Sequence, residues 1–154
     1  MSERLQTLFP RLRSTPYWAT SPADPDYNCI AWAAEDSSNY WWPVGEGPRI
    51  FWPPAVPREE TVAAFEAVFR MLGYTVAADE SLEPGFEKVA LFANGDGEPT
   101  HAARQLSSGL WASKIGKLED IEHQLWALEG DTYGRVVLIL TRPRHIDSSV
   151  EAAI

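Results

Sequence analysis

The 154 residues contain a single cysteine, Cys29. An intrachain disulfide is therefore excluded, and the fold does not depend on an oxidising compartment. Long hydrophobic runs are also missing. A helical membrane crossing needs about 18 or more apolar residues in a row, and the chain has no such stretch. The opening MSERLQTLFPRLRS lacks the apolar centre of a signal peptide. The expected compartment is the cytoplasm, although export without a cleaved signal would leave the same sequence. Cations are scarce: 13 Lys and Arg stand against 22 Asp and Glu, for a net charge of −9. A surface of that sign repels phosphate backbones, so no nucleic-acid partner is expected. Histidines number three, His101, His123 and His145. One cysteine and three scattered histidines lack the short paired spacings of a zinc site, so no metal and no cofactor is expected.

Seven tryptophans and twelve prolines are a surplus for this length. Trp41, Trp42 and Trp52 cluster with Pro43, Pro53, Pro54 and Pro57, which predicts an ordered loop over 38–57. Large aromatic rings favour burial, and proline lowers the entropy cost of fixing a loop.

One domain is expected, with an N-terminal arm (1–24), a core (25–142) and a loose tail (143–154). Leu5, Leu8, Phe9 and Leu12 suit a short amphipathic helix interrupted near Pro10, and 14–27 reads as an irregular approach. CIAWAAED (29–36) predicts a short apolar helix opening at Cys29. REETVAAFEAVFRML (58–72) is the clearest helix, with Val62, Phe65, Phe69 and Leu72 on one face and Gly73 as the stop. TVAA (75–78) suits a short strand. FEKVALFA (86–93), HAARQL (101–106), LWASKI (110–115) and RVVLILT (135–141) predict further strands, with a hairpin signal at Ser107-Ser108-Gly109. Residues 117–126 are expected to form a helical turn. The plan is α+β: helix, loop, helix, then an antiparallel sheet of about four strands.

A thiol attacks as its thiolate, and a helix N-terminus lowers the thiol pKa through its positive potential and unpaired N–H groups. Cys29 stands at such a predicted end, where the same N–H groups could hold an oxyanion. His101 opens a predicted strand and is the candidate base. His145 falls in the tail among arginines. His123 suits either the surface or the same cleft. The plain alternatives are a cysteine serving as a small core residue and a histidine closing a turn.

The segments YNCIAWA (27–33), THAARQL (100–106), WASKIG (111–116), EDIEH (119–123) and YGRV (133–136) resemble a bacterial family of small, uncharacterised domains. That family is similar to an outlying branch of the papain-like and NlpC/P60-like cysteine hydrolases. The resemblance implies a nucleophile helix packed on the sheet, Cys29 as nucleophile and His101 as general base. It implies a third, orienting residue, often on the following strand. Lys114 cannot accept a histidine N–H when charged, so Ser113 is the better orienter there, with Asp120 the other candidate. A two-residue Ser107-Ser108 loop would set Lys114 opposite His101, and a bulge at Gly109 would bring Ser113 into phase instead. Asn28 would donate to the oxyanion or cap the helix. Trp41, Trp42 and Trp52 would wall a substrate groove or else cover the core.

The expected activity is that of a cysteine hydrolase or acyl transferase on an amide bond: peptidase, amidase or deamidase. It would pass through a thioester on a protein or peptide substrate, and could serve as a bacterial effector toxin. The alternatives are a non-catalytic binding domain using the Trp/Pro loop, or an acidic immunity or adaptor partner.

Overall fold

The structure, a computed structural model, describes residues 3–21, 29–34, 40–44, 50–115 and 120–144. Asn28, His145 and the expected 145–154 part of the tail lie outside them.

Helix α1 (Glu3–Leu8) runs into a 3-10 helix at Pro10–Arg13, because proline suits the first turn of a new helix and not the middle of an old one. Strand β1 (Trp18–Ser21) and the five-residue helix α2 (Cys29–Ala33) follow. Two short parallel strands, β2 (Tyr40–Trp41) and β3 (Ile50–Phe51), pair with one another. Helix α3 spans Val62–Met71. It begins later than 58 because Thr61 caps it, its Oγ1 accepting from the Ala64 N–H at 3.2 Å. Gly73, at φ +96°, ends it.

The remaining strands are β4 (Thr75–Val76), β5 (Phe86–Ala93), β6 (Pro99–Gln105), β7 (Trp111–Lys114), β8 (Asp120–His123) and β9 (Arg135–Pro143). A second 3-10 helix, Leu125–Leu128, connects β8 towards β9. Seven strands form one antiparallel sheet in the order β1-β8-β7-β6-β5-β9-β4. Sequential hairpins lay down β5 to β8, and β9 returns along the free side of β5.

The expected papain-like plan of a helix on about four strands is therefore corrected. The fold is β-rich, with seven strands in its main sheet and few, short helices. The additional strands are short ones. β1 lies in a segment that reads as an irregular approach, and β8 replaces the expected helical turn at 117–126. A four-residue strand spans only two periods of alternation, so pairing with a neighbour rather than local pattern creates it.

Side chains alternate across the sheet and build two cores. On one face Val89, Leu91, Ala102 and Leu140 pack with α2, with Phe65, Val68 and Phe69 of α3, and with Trp41, Trp52 and Val56. On the other, Ala90, Phe92, Ala103, Trp111 and Ile121 pack with Leu5, Phe9 and Leu12 and with Leu125 and Leu128. Each large side chain so buried contributes about 1.5–3 kcal/mol.

Candidate functional site

The turn between β6 and β7 decides which side chains meet. Leu106 N–H donates to Leu110 O at 2.8 Å and Gly109 N–H to Leu106 O at 2.9 Å. The loop therefore has three residues, Ser107, Ser108 and Gly109, with Gly109 at φ +91°. The resulting pairs, Arg104 with Ala112 and Gln105 with Trp111, put 101, 103 and 105 on the same face as 111 and 113. Ser113 thus shares a face with His101. Across β8, Trp111 pairs with His123 and Ser113 with Ile121, which brings the His123 ring to that face too.

Three polar side chains meet there without solvent: His101, Ser113 and His123 are each fully buried. His101 Nε2 lies 2.9 Å from Ser113 Oγ, and Ser113 Oγ lies 2.7 Å from His123 Nε2. His123 Nδ1 lies 2.7 Å from the Gln124 carbonyl oxygen. Burial lowers the His123 pKa to about 4, against a smaller opposing effect of the Gln124 carbonyl, so the ring is neutral near pH 7. The proton positions follow by elimination. A carbonyl only accepts, so His123 carries its proton on Nδ1 and its Nε2 is an acceptor. Ser113 Oγ–H donates to that nitrogen and accepts from His101 Nε2–H. His101 is then left with a bare Nδ1, which is buried and has no hydrogen-bond partner among the described residues. Burial, followed by the proximity of His123, holds the His101 pKa well below the usual imidazole range.

The aromatic surroundings complete the enclosure. Tyr133 stacks flat on His101, and Phe92 meets the same ring edge-on at 5.3 Å. Thr100 Oγ1–H donates to the Tyr133 carbonyl. Thr100 and Tyr133 open the segments THAARQL and YGRV, but no spacing in the sequence pairs either with His101. His123 joins the group around His101, one of the two placements the sequence leaves open to it, although strand β8 rather than a helical turn carries it.

Cys29 is elsewhere. Its side chain belongs to the cluster of Ala102, Leu91 and Phe65, whereas His101 packs with Phe92 and Tyr133 on the opposite side of the sheet. Neighbouring residues in a strand point to opposite faces, so Ala102 beneath Cys29 means that His101 points away from it. The expected Cys29–His101 dyad is not assembled. Burial pushes the thiol up to about 11, outweighing the backbone amides of Ala102 and Ile30 and the Lys114 charge, which pull it down.

Lys114 and Asp120 form a directly opposed pair in β7 and β8, both buried, on the Cys29 face. Asp120 is consequently not the group beside His101. The aromatic substrate wall is also corrected. Trp41 and Trp52 are core residues, and the Trp52 indole N–H donates to Pro57 O at 3.0 Å. Trp42 is half-buried, donates to Glu60 Oε1 at 3.0 Å and packs edge-on against Phe65. Asn28 lies outside the described residues. Among those described, no three His, Cys, Asp or Glu side chains group closely enough to hold a metal ion.

A β-rich domain holding a sealed His-Ser-His network is the class of protein that these features define. A family model described as a domain of unknown function (DUF7689) matches residues 18–141, and the chain belongs to that family. No curated protein and no solved structure matches the chain.

Proposed function

We propose that this domain is a non-catalytic binding module whose partner is a cationic protein. The observation that carries this reading is the placement of Cys29 and His101 on opposite faces of one sheet. A nucleophile and its base must come within hydrogen-bond reach, and a strand between them forbids it. The His-Ser-His network offers no substitute site, because its members are sealed and neutral. The net charge of −9 supports a partner of opposite sign, through steering of the encounter and complementarity at contact.

A second reading keeps Cys29 as the nucleophile of an amide hydrolase or acyl transferase. Its support is local: α2 opens at Cys29, and backbone amides and Lys114 act on the thiol in the direction a nucleophile needs. Iodoacetamide separates the two. For the binding module, the folded protein should resist labelling below pH 7 and label fully in denaturant. Rapid labelling of the folded chain would overturn it in favour of the nucleophile.

A further inference from the structure

Strand β9 runs from Arg135 to Pro143, but β4 pairs with it only at Leu140 and Thr141. One more bond, from the Ala77 N–H to Ile139 O at 2.9 Å, extends that contact. Along Arg135–Leu138 no strand lies on the outer edge of β9 among the described residues. Val137, in this open stretch, is 48% exposed. The edge is not bare: the Val136 N–H already donates to Glu129 Oε2, and the pairing of β9 with β5 shifts register between Leu91 and Phe92. The main-chain groups that remain along Arg135–Leu138 are the template for a further strand.

Beside that stretch lies a recess of about 300 Å³ lined by Glu80, Leu125, Trp126, Glu129, Val136 and Ile139. Its apolar part is Leu125, Val136 and Ile139, and Trp126, 47% exposed, forms a wall. Both of its ionisable groups are carboxylates. Glu129 is engaged, with Oε1 3.4 Å from Arg11 and Oε2 accepting from the Val136 N–H at 3.1 Å. Glu80 is held by its backbone, whose carbonyl accepts from Gln105 Nε2 at 2.8 Å. Its exposed carboxylate has no partner among the described residues. A second recess of about 380 Å³ shares Glu129 and is lined also by Arg11, Asp131, Arg135 and Val137.

We propose that the open half of β9 docks an extended basic segment of a partner protein, which adds a strand there and inserts a lysine or arginine between Trp126 and Glu80. The aliphatic stem of such a side chain covers Val136 and Ile139 while its head meets the indole face and the free carboxylate. Main-chain bonds along the edge supply affinity and the recess supplies selectivity. A second copy of this chain is disfavoured by its own charge of −9. This site rests on the binding-module reading and locates its contact surface.

The test is fluorescence anisotropy with a labelled peptide of alternating valine and arginine, read at low and high salt, against the folded full chain. The peptide should bind, and Trp126→Ala combined with Glu80→Gln should weaken it roughly tenfold. Glu59→Gln, removing the same charge from an exposed position elsewhere, should leave affinity unchanged. N-methylation of alternate peptide amides should abolish binding without touching the protein. Equal losses in the Glu59 control, or full binding by the methylated peptide, would overturn the site while leaving the module reading intact. Absence of binding at about 1 mM peptide would overturn both. Self-association that the peptide does not displace would assign the edge to a second copy and overturn the basic partner.

Discussion

Tyr133 lies flat on His101, with ring centroids 4.2 Å apart and planes within 5° of parallel. The next residue explains how a loop reaches so close to the sheet. Gly134 exchanges backbone hydrogen bonds with Gly130 at 2.8 and 2.9 Å and has φ +80°. A Cβ there would overlap the Ala93 carbonyl at the end of β5. Gly134→Ala should therefore cost several kcal/mol, since strain and a backbone clash add. Gly85 has φ +84° with open space around it, so Gly85→Ala should cost only about 1–2 kcal/mol. Urea titration of the two variants measures the difference. Equal costs would show that the Tyr133 loop gives way.

The proton order in the buried network is directly observable. Long-range 15N–1H spectra should show His101 protonated on Nε2 and His123 on Nδ1, both neutral at pH 7. Ser113→Ala removes the hydroxyl that serves both rings and leaves two buried ring nitrogens unpaired. The expected loss is on the order of 3 kcal/mol, with the fold retained. An unchanged denaturation midpoint would mean that the rings find other partners.

Stability should fall in mild acid. The folded His123 titrates near 4, while the unfolded imidazole has its ordinary value of 6.5. Below 6.5 the unfolded chain takes up a proton that the folded chain refuses, so stability declines as pH falls. For His123 the decline ends near pH 4 and totals on the order of 3 kcal/mol. His101 shifts in the same direction and adds to it. Urea midpoints between pH 7 and pH 4 test this, and His123→Gln should flatten the slope. A midpoint constant through that window would contradict neutral burial.

The parts of the fold that were legible are those with enough residues to show a period. FEKVALFA is β5 at the bounds read from its apolar run and flanking turns, and the core face of α3 follows from Phe65 and Phe69. What stayed hidden depends on partners distant in sequence. WATS becomes an edge strand only by pairing with DIEH, and DIEH becomes a strand only between WATS and WASK. The site was harder still. His101 and Ser113 stood out as polar residues in apolar segments, but the face on which each points depends on a single residue in a turn. The Cys29–His101 dyad fails for a different reason: alternation along β6 turns His101 away from the helix that Ala102 supports.

The Trp/Pro segment should behave as core. Trp52 packs against Phe65 at 5.1 Å and is nearly fully buried. Trp52→Ala should destabilise the protein by about 3–5 kcal/mol, the range for deleting a large buried ring. Trp126→Ala, at an exposed position, should cost under about 0.5 kcal/mol. Thermal melts compare the two, and a neutral Trp52→Ala would return that residue to the list of surface contacts.

Gly109 offers the strictest test of the register. At φ +91° it supplies the third residue of the β6–β7 loop. Gly109→Asn should be nearly neutral, because asparagine tolerates the left-handed region, and Gly109→Ala should cost about 1 kcal/mol. Deleting Gly109 is a different perturbation. It leaves the two-residue loop Ser107-Ser108, slips β7 by one residue and exchanges its faces. Ser113 would leave the two imidazoles, and Trp111 would leave the cluster of Phe92 and Ile121. The deletion should therefore abolish cooperative unfolding and disperse the aromatic NMR signals poorly. A well-folded deletion variant that keeps the His101 Nε2–H resonance would show that the turn does not set the network.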